Sequence, residues 1–302
     1  MYKTYTPLLI IALVCIMICS YAQEEDTMIA VKALERRAQS MREKGDWQGA
    51  MKLYDEIMQN SSVDSESYLS AMSAKGEALS NMNDPEKALE MYSSSIDFIT
   101  TATEQQKIKN VSAHGMQARY DLALKMAELY GKMGKPEERE KALMQAGDFL
   151  KSAAEDPKLT PAQKAAFQIQ MNEYNDKVAE FYTEQGDVNK AISSYENALS
   201  NVQGVIAENV IQNLPVEKRT IEVERTFQSM KDISYPLKLA ELYEEAGDRE
   251  KARLLYKQVR RAADRALTDD TYDEALPGYR EKLQGVFNEV QTKLIEMETY
   301  SY

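Results

Sequence analysis

The chain has 302 residues, with 49 acidic against 37 basic side chains and a formal charge of −12 at neutral pH. That balance argues against nucleic acid as a partner, because phosphate binding needs clustered Lys and Arg. One His and two Cys exclude most metal-ligand and nucleophile arrangements, so no cofactor and no metal is expected. Only 12 Gly and 8 Pro accompany 16 Met and 18 Tyr, a mix that favours helices over a turn-rich β fold.

At the start of the chain, Lys3 precedes an unbroken apolar run from Leu8 to Cys19, followed by Ser20-Tyr21-Ala22. A positive residue, a short apolar core and small residues around a cut after Ala22 read as a secretory signal peptide over 1–22. A membrane-spanning helix needs about 20 apolar residues, more than this run supplies; a retained anchor is the alternative reading. Cys15 and Cys19 follow Val14 and Ile18, not the small residues that precede a lipid-anchored cysteine, so both read as apolar filler. The exported chain would be periplasmic or secreted, free of cysteine, and stabilised by packing instead of disulfides. No later run approaches spanning length.

Residues 23–269 are organised by a repeat. Five turn residues set its frame: Gly45, Asn83, Gly134, Gly186 and Gly247. Seven residues before each stands a small residue: Ala38, Gly76, Ala127, Ala179, Ala240. Four before stands a large one: Met41, Leu79, Tyr130, Tyr182, Tyr243. One after come Asp46, Asp84, Lys135, Asp187 and Asp248; five after come Ala50, Ala88, Arg139, Ala191 and Ala252; nine after come Tyr54, Tyr92, Leu143, Tyr195 and Tyr256. Residues three or four apart share one helix face. Gly or Asn at the turn accepts the left-handed backbone that ends a helix, and the following Asp caps the next helix. Each unit is thus two antiparallel helices around a tight turn. One such hairpin cannot bury its own apolar face, so neighbours must stack.

The segments MREKGDWQGAMKLYDE, GEALSNMNDPEKALEMY, AEFYTEQGDVNKAISSYENAL and AELYEEAGDREKARLLYKQV resemble tetratricopeptide (TPR) repeats, with AELYGKMGKPEEREKAL as a weaker copy. Turn-to-turn distances of 38, 51, 52 and 61 residues depart from the roughly 34 of that family. Residues 103–133, 160–185 and 216–246 each read as one long helix, the second started by Thr160-Pro161 and the last kinked at Pro236. The expectation is an all-α, TPR-like α-solenoid of about five hairpins, closed by a C-terminal capping helix over 270–302 that is interrupted near Pro277-Gly278.

Little in the chain points to catalysis. His114 stands alone in a polar helical stretch, and no phosphate loop or serine elbow occurs. Trp47, just after Gly45-Asp46, reads as packing at a turn, and the Tyr series reads as core. Asn60-Ser61-Ser62 and Asn110-Val111-Ser112 fit the N-glycosylation pattern. In the resembled family, the residue after the small one faces the groove that holds partner peptides. Here it is Gln39, Glu77, Glu128, Glu180 or Glu241, and an acidic groove suits a basic or neutral polypeptide instead of a terminal carboxylate. The same column also suits ordinary exposed helix positions, where Glu is favoured. The resemblance implies a non-catalytic scaffold for protein or peptide partners, and the leading segment 1–22 makes the expectation an exported one; the alternative is an envelope solute- or glycan-binding helical repeat protein.

Overall fold

A computed structural model describes residues 27–61, 66–104, 112–207 and 210–299. The signal segment 1–22 and Asn110 lie outside them. The described chain is all-α, as the repeat predicts, with no strand among these residues. Two compact units divide it, the first ending at Ala142 and the second starting at Leu143.

The first unit contains α1 (27–43), α2 (Trp47–Asn60), α3 (Glu66–Asn81), α4 (Pro85–Glu104), α5 (Ser112–Lys132) and the start of α6 (Pro136–Glu155). Successive helices pack, α2 on α3, α3 on α4 and α4 on α5. The second unit contains the rest of α6, then α7 (Pro161–Glu184), α8 (Val188–Ala207), two 3₁₀ turns (Val210–Asn213 and Val216–Lys218), α9 (Ile221–Ser229), a π-turn (Met230–Ser234), α10 (Tyr235–Glu245), α11 (Arg249–Leu267), α12 (Asp270–Ala275) and α13 (Tyr279–Thr299). Here α7 packs on α8, α8 on α10, α10 on α11 and α11 on α13.

Each hairpin turn is made the same way. The five frame residues all have positive φ, from 61° at Asn83 to 82° at Gly247. In each, the amide one residue after the frame donates to the carbonyl of the large residue four before it. The pairs are Asp46 to Met41, Asp84 to Leu79, Lys135 to Tyr130, Asp187 to Tyr182 and Asp248 to Tyr243, at 2.8–3.0 Å. The frame amide itself donates three residues back. This is a Schellman ending, which satisfies carbonyls the finished helix would leave bare. Four of the five turns then start the next helix with an aspartate whose Oδ1 accepts an amide three residues on: Gly49, Lys87, Lys190 and Lys251.

The small residues form the seam between the paired helices. Ala38, Ala50, Ala88, Ala179, Ala191, Ala240 and Ala252 are all at most 1% exposed. Gly76 shows why size matters there. A Cβ on it would come within 2.3 Å of the Tyr92 ring, so the tyrosine nine residues after one turn fills the space left seven residues before it. In the weaker copy Lys135 replaces the capping aspartate, and Arg139 lies against Gly131, where an added Cβ would be 3.3 Å from the Arg139 Cδ. On α6, Ala142, Leu143 and Ala146 are buried.

Two of the long helices expected from sequence are divided differently. Residues 103 and 104 belong to α4, which packs on α5 and so is not its continuation; α5 starts at Ser112. Over 216–246, the chain first makes a 3₁₀ turn behind Pro215, and the α-helix starts at Ile221, where Thr220 Oγ1 caps the Val223 amide. The third expectation holds: α7 opens on a capping box in which Thr160 and Gln163 satisfy each other's backbone amides.

Pro236 distorts its helix as its chemistry requires. Proline has no N–H and its ring crowds the carbonyl four residues back. The helix widens before it into the π-turn, and the Tyr235 amide reaches Met230, five residues back. Beyond α11, Gly278 at φ +75° separates α12 from α13, whose Leu283, Val290 and Leu294 are buried.

The seam gives a direct test. Ala191→Leu should lower stability by roughly 1–3 kcal/mol through overpacking, whereas Leu254→Ala, at a site 67% exposed, should change it by less than about 0.5 kcal/mol. Thermal unfolding followed by circular dichroism reads both; equal effects would mean that the assigned faces are wrong.

Candidate functional site

The groove column places its residues in two groups. In the first unit, Gln39 lines one cavity, and Glu77 and Glu128 line the next. The first, of ≈ 450 Å³, lies between α1, α2 and α3, with Lys32, Glu35, Gln39, Arg42, Ser67 and Ser70 among its lining. The second, of ≈ 470 Å³, lies between α3, α4 and α5, with Glu77, Asn81, Tyr92, Lys125, Glu128 and Lys132. Helix α3 borders both.

Glu77 links these cavities. Its Oε1 accepts from Arg42 Nη2 at 2.5 Å, and its Oε2 lies 3.4 Å from Lys125 Nζ. Arg42 comes from α1 and Lys125 from α5, so one carboxylate ties three helices together. Lys125 also donates to Ser73 Oγ at 3.3 Å. In the first cavity Ser67 Oγ donates to Glu35 at 2.6 Å, and Gln39 donates to Glu43 at 2.9 Å. The lining is therefore a mosaic of compensated charge, hydroxyls and amides. Burial raises the Tyr92 hydroxyl pKa, with Glu77 and Glu128 nearby pushing the same way. Burial also raises the pKa of Tyr54, against the neighbouring Arg42.

In the second unit, Glu180 is exposed on α7 and Glu241 is half-buried on α10. Both act on the Tyr195 hydroxyl, whose pKa is pushed up to about 12, chiefly by burial, then by Asp176, Glu180 and Glu241. Burial also raises the Glu241 carboxyl, against Lys238, whose Nζ is 3.8 Å away. Close to this pair is Asp176, whose pKa is lifted to about 6 by burial in the main. Its Oδ2 accepts a 3.2 Å hydrogen bond from the Tyr235 hydroxyl.

Arg42, Lys125, Asp176 and Tyr235 were not singled out from the sequence. One signal was available. Three residues before each of the last three column glutamates stands a lysine: Lys125, Lys177 and Lys238. That spacing sets Lys and Glu on one helix face, so the acidic column travels with its own counter-charges. The partnership of Glu77 with Arg42 spans 35 residues and has no local signature.

Other singled-out residues fall elsewhere. Trp47 is the first residue of α2 and is half-buried. Asn60 ends α2, its amide donating to the Glu56 carbonyl at 2.7 Å. The His114 side chain lies outside what is described. Among the described residues no three His, Cys, Asp or Glu side chains cluster as metal ligands, and no helix is long and apolar enough to cross a membrane.

Because Arg42, Glu77 and Lys125 are each about a third exposed, their pairing is worth at most about 1 kcal/mol per contact. Glu77→Gln should therefore cost less than about 2 kcal/mol in thermal unfolding, and the loss should shrink in high salt. A larger, salt-independent loss would show that Glu77 acts through packing.

Comparison with known proteins places this geometry. A tetratricopeptide repeat model matches residues 32–61 and 237–263, the α1–α2 hairpin and most of α10–α11. Among solved structures, BtubC (BKLC) from P. vanneervenii superposes with a TM-score of 0.50 at 16% identity, covering 83% of this chain and 86% of its own. A Podosopora anserina putative kinesin light chain of nearly identical TPR-like repeats gives 0.44 at 18% identity, covering 78% and 96%. No curated protein matches the chain.

Proposed function

We propose, from the premise that the chain is a TPR-like helical-repeat protein, that it is an exported, non-catalytic scaffold holding a polypeptide segment along α1, α3 and α5. The observation that carries this reading is the pair of cavities on either side of α3, lined by hydroxyl, amide and charged side chains. An extended segment needs hydrogen-bond partners at intervals along its length, and Gln39 on α1, Ser70 and Asn81 on α3 and Glu128 on α5 would supply them. Export rests on the apolar run before Ala22.

Charge on this face shapes the partner. Glu77 is engaged by Arg42 and Lys125, so the first unit suits a neutral or mixed segment. The basic partner expected from the glutamate column would instead meet Glu173 and Glu180, both exposed on α7 of the second unit, while Glu241 there pairs with Lys238. Electrostatic contributions of this kind govern association rate and specificity, and they weaken with salt.

A photo-crosslinking residue placed in turn at Gln39, Ser70, Glu128 and Leu254 in intact cells tests the surface. The first three should capture the same polypeptide and Leu254 should not; capture from all four alike, or from none, overturns the groove. The charge reading has its own test. Replacing Glu180 and Glu241 together by Gln should weaken a complex with a basic segment several-fold at low salt, and undiminished binding removes the basic-partner reading while leaving the crosslinks to decide the rest.

A further inference from the structure

Helix α11 carries the opposite charge to the chain as a whole. Seven of its residues are basic and two are acidic, in a protein of formal charge −12. Tyr256, Val259 and Ala263 stand on its buried inner face, and the helix packs on α10 and α13. On the outside, Leu254, Gln258, Arg261 and Arg265 are all exposed. Their spacing of four, three and four residues sets them in one row along the helix. At 1.5 Å per residue that row is about 16 Å long. Leu254 heads it, 67% exposed.

The fold matches only part of this charge. Lys251 lies 3.4 Å from Asp248, Arg253 lies 3.7 Å from Glu298, and Arg260 donates to Gln291 at 3.2 Å. Among the described residues, Arg249, Lys257 and Arg261 pair with no carboxylate, and Arg265 gives its Nε to the Arg261 carbonyl at 3.3 Å. A cation in the last turn favours the helix dipole, which accounts for Arg265. Arg249 is the first residue of the helix, the end at which a cation is disfavoured. Leu254 is not used by the core either. The flanking helices lean the other way: α10 has three glutamates and one lysine, and α13 has four glutamates and three basic residues. The uncompensated positive charge is therefore a strip one helix wide.

We propose that the outer row of α11 is a docking strip for an acidic polypeptide segment, in which Leu254 seats one apolar side chain and Arg261 and Arg265 take carboxylates. The planar guanidinium group suits carboxylates, which it can hold through two parallel hydrogen bonds. About five residues of extended chain span the row. A single chain fits a strip of this width. A bilayer or a nucleic-acid duplex spreads negative charge over a broader face and would bring the glutamates of α10 and α13 against it, at a cost in like-charge repulsion. This partner differs in charge and in place from the segment proposed along α1, α3 and α5. The two readings stand independently, and a crosslinker at Leu254 would report a different polypeptide.

Fluorescence anisotropy with the full chain tests the strip. The probe is a short labelled synthetic peptide carrying several glutamates and one leucine, compared with the same peptide bearing serine in place of that leucine. The wild-type chain should bind the leucine peptide several-fold more tightly than the serine peptide, and salt should weaken both. Arg261→Gln with Arg265→Gln should weaken binding several-fold. Leu254→Ser should abolish the preference for leucine and leave the serine peptide unaffected. Lys151→Gln with Lys158→Gln removes the same charge from exposed positions outside α11 and should change nothing. All five sites are exposed, so the variants should fold, which circular dichroism checks. No binding at low salt overturns the strip, and so does equal weakening by the two charge pairs, which would mean that net charge alone draws the peptide. Indifference to Leu254→Ser overturns it as well. Phosphatidylserine vesicles and a DNA duplex are the remaining arms: binding of either through Arg261 and Arg265, more tightly than the peptide, overturns the choice of partner.

Discussion

The hairpins of this chain depend on one close approach: a small residue seven before the turn faces a small residue five after it, and a tyrosine fills the groove beside them. The turn exists to deliver that approach. Its left-handed residue lets the backbone reverse without stranding carbonyls, and the aspartate that follows restarts the helix before the chain can drift. Ala38 against Ala50, Ala179 against Ala191 and Ala240 against Ala252 are buried to within 1%. Dispersion between closely spaced backbones is individually weak and adds up only when the spacing is short. A chain whose two cysteines both stand in its first 19 residues has no disulfide among its repeats to substitute for it.

The same geometry decides what the outer surfaces can do. With small and large residues committed to the seam, the positions between them carry the charge, and they carry it in helical register. Lysines three residues before Glu128, Glu180 and Glu241 put opposite charges on one face. Glu77, which has Ala74 at that position, takes its cations from neighbouring helices, Arg42 from α1 and Lys125 from α5. The array thus makes ion pairs between repeats where a single helix leaves a charge uncompensated. The result in the first unit is a surface patterned in charge yet locally balanced around Glu77.

How much of this could be read from the sequence follows the range of each interaction. The turns, caps and buried seam are contacts within about sixteen residues, and the spacing around Gly45, Asn83, Gly186 and Gly247 exposes them directly. The capping box at Thr160 was equally plain. Helix interiors were less so. The chain from 103 to 133 has the composition of one helix, yet its first two residues belong to α4 and the rest of its described length to a helix packed against α4. Composition limits what can end a helix but does not place the end. The sites were the hardest. The glutamate column was visible, but its electrostatic meaning depends on Arg42, 35 residues from Glu77, and on Lys125, 48 residues away. The setting of Asp176 depends on Tyr235, 59 residues on. No local pattern carries such partners.

Among the described residues, irregularity is concentrated where the repeat is longest. The 61 residues from Gly186 to Gly247 hold the two 3₁₀ turns, the π-turn, Pro236 and Tyr235, whose partner Asp176 stands just before them on α7. The 38 residues from Gly45 to Asn83 hold no such departure among those described. Local rules are broken together: a proline inside a helix, a widened turn before it and an acid set against an apolar seam. Each is unfavourable alone, and consistency across levels is what specifies a fold. Their coincidence has a mechanical reading. The missing N–H and bulky ring of the proline account for the wide turn before it, and Tyr235, at the junction, donates a hydrogen bond to Asp176 on α7.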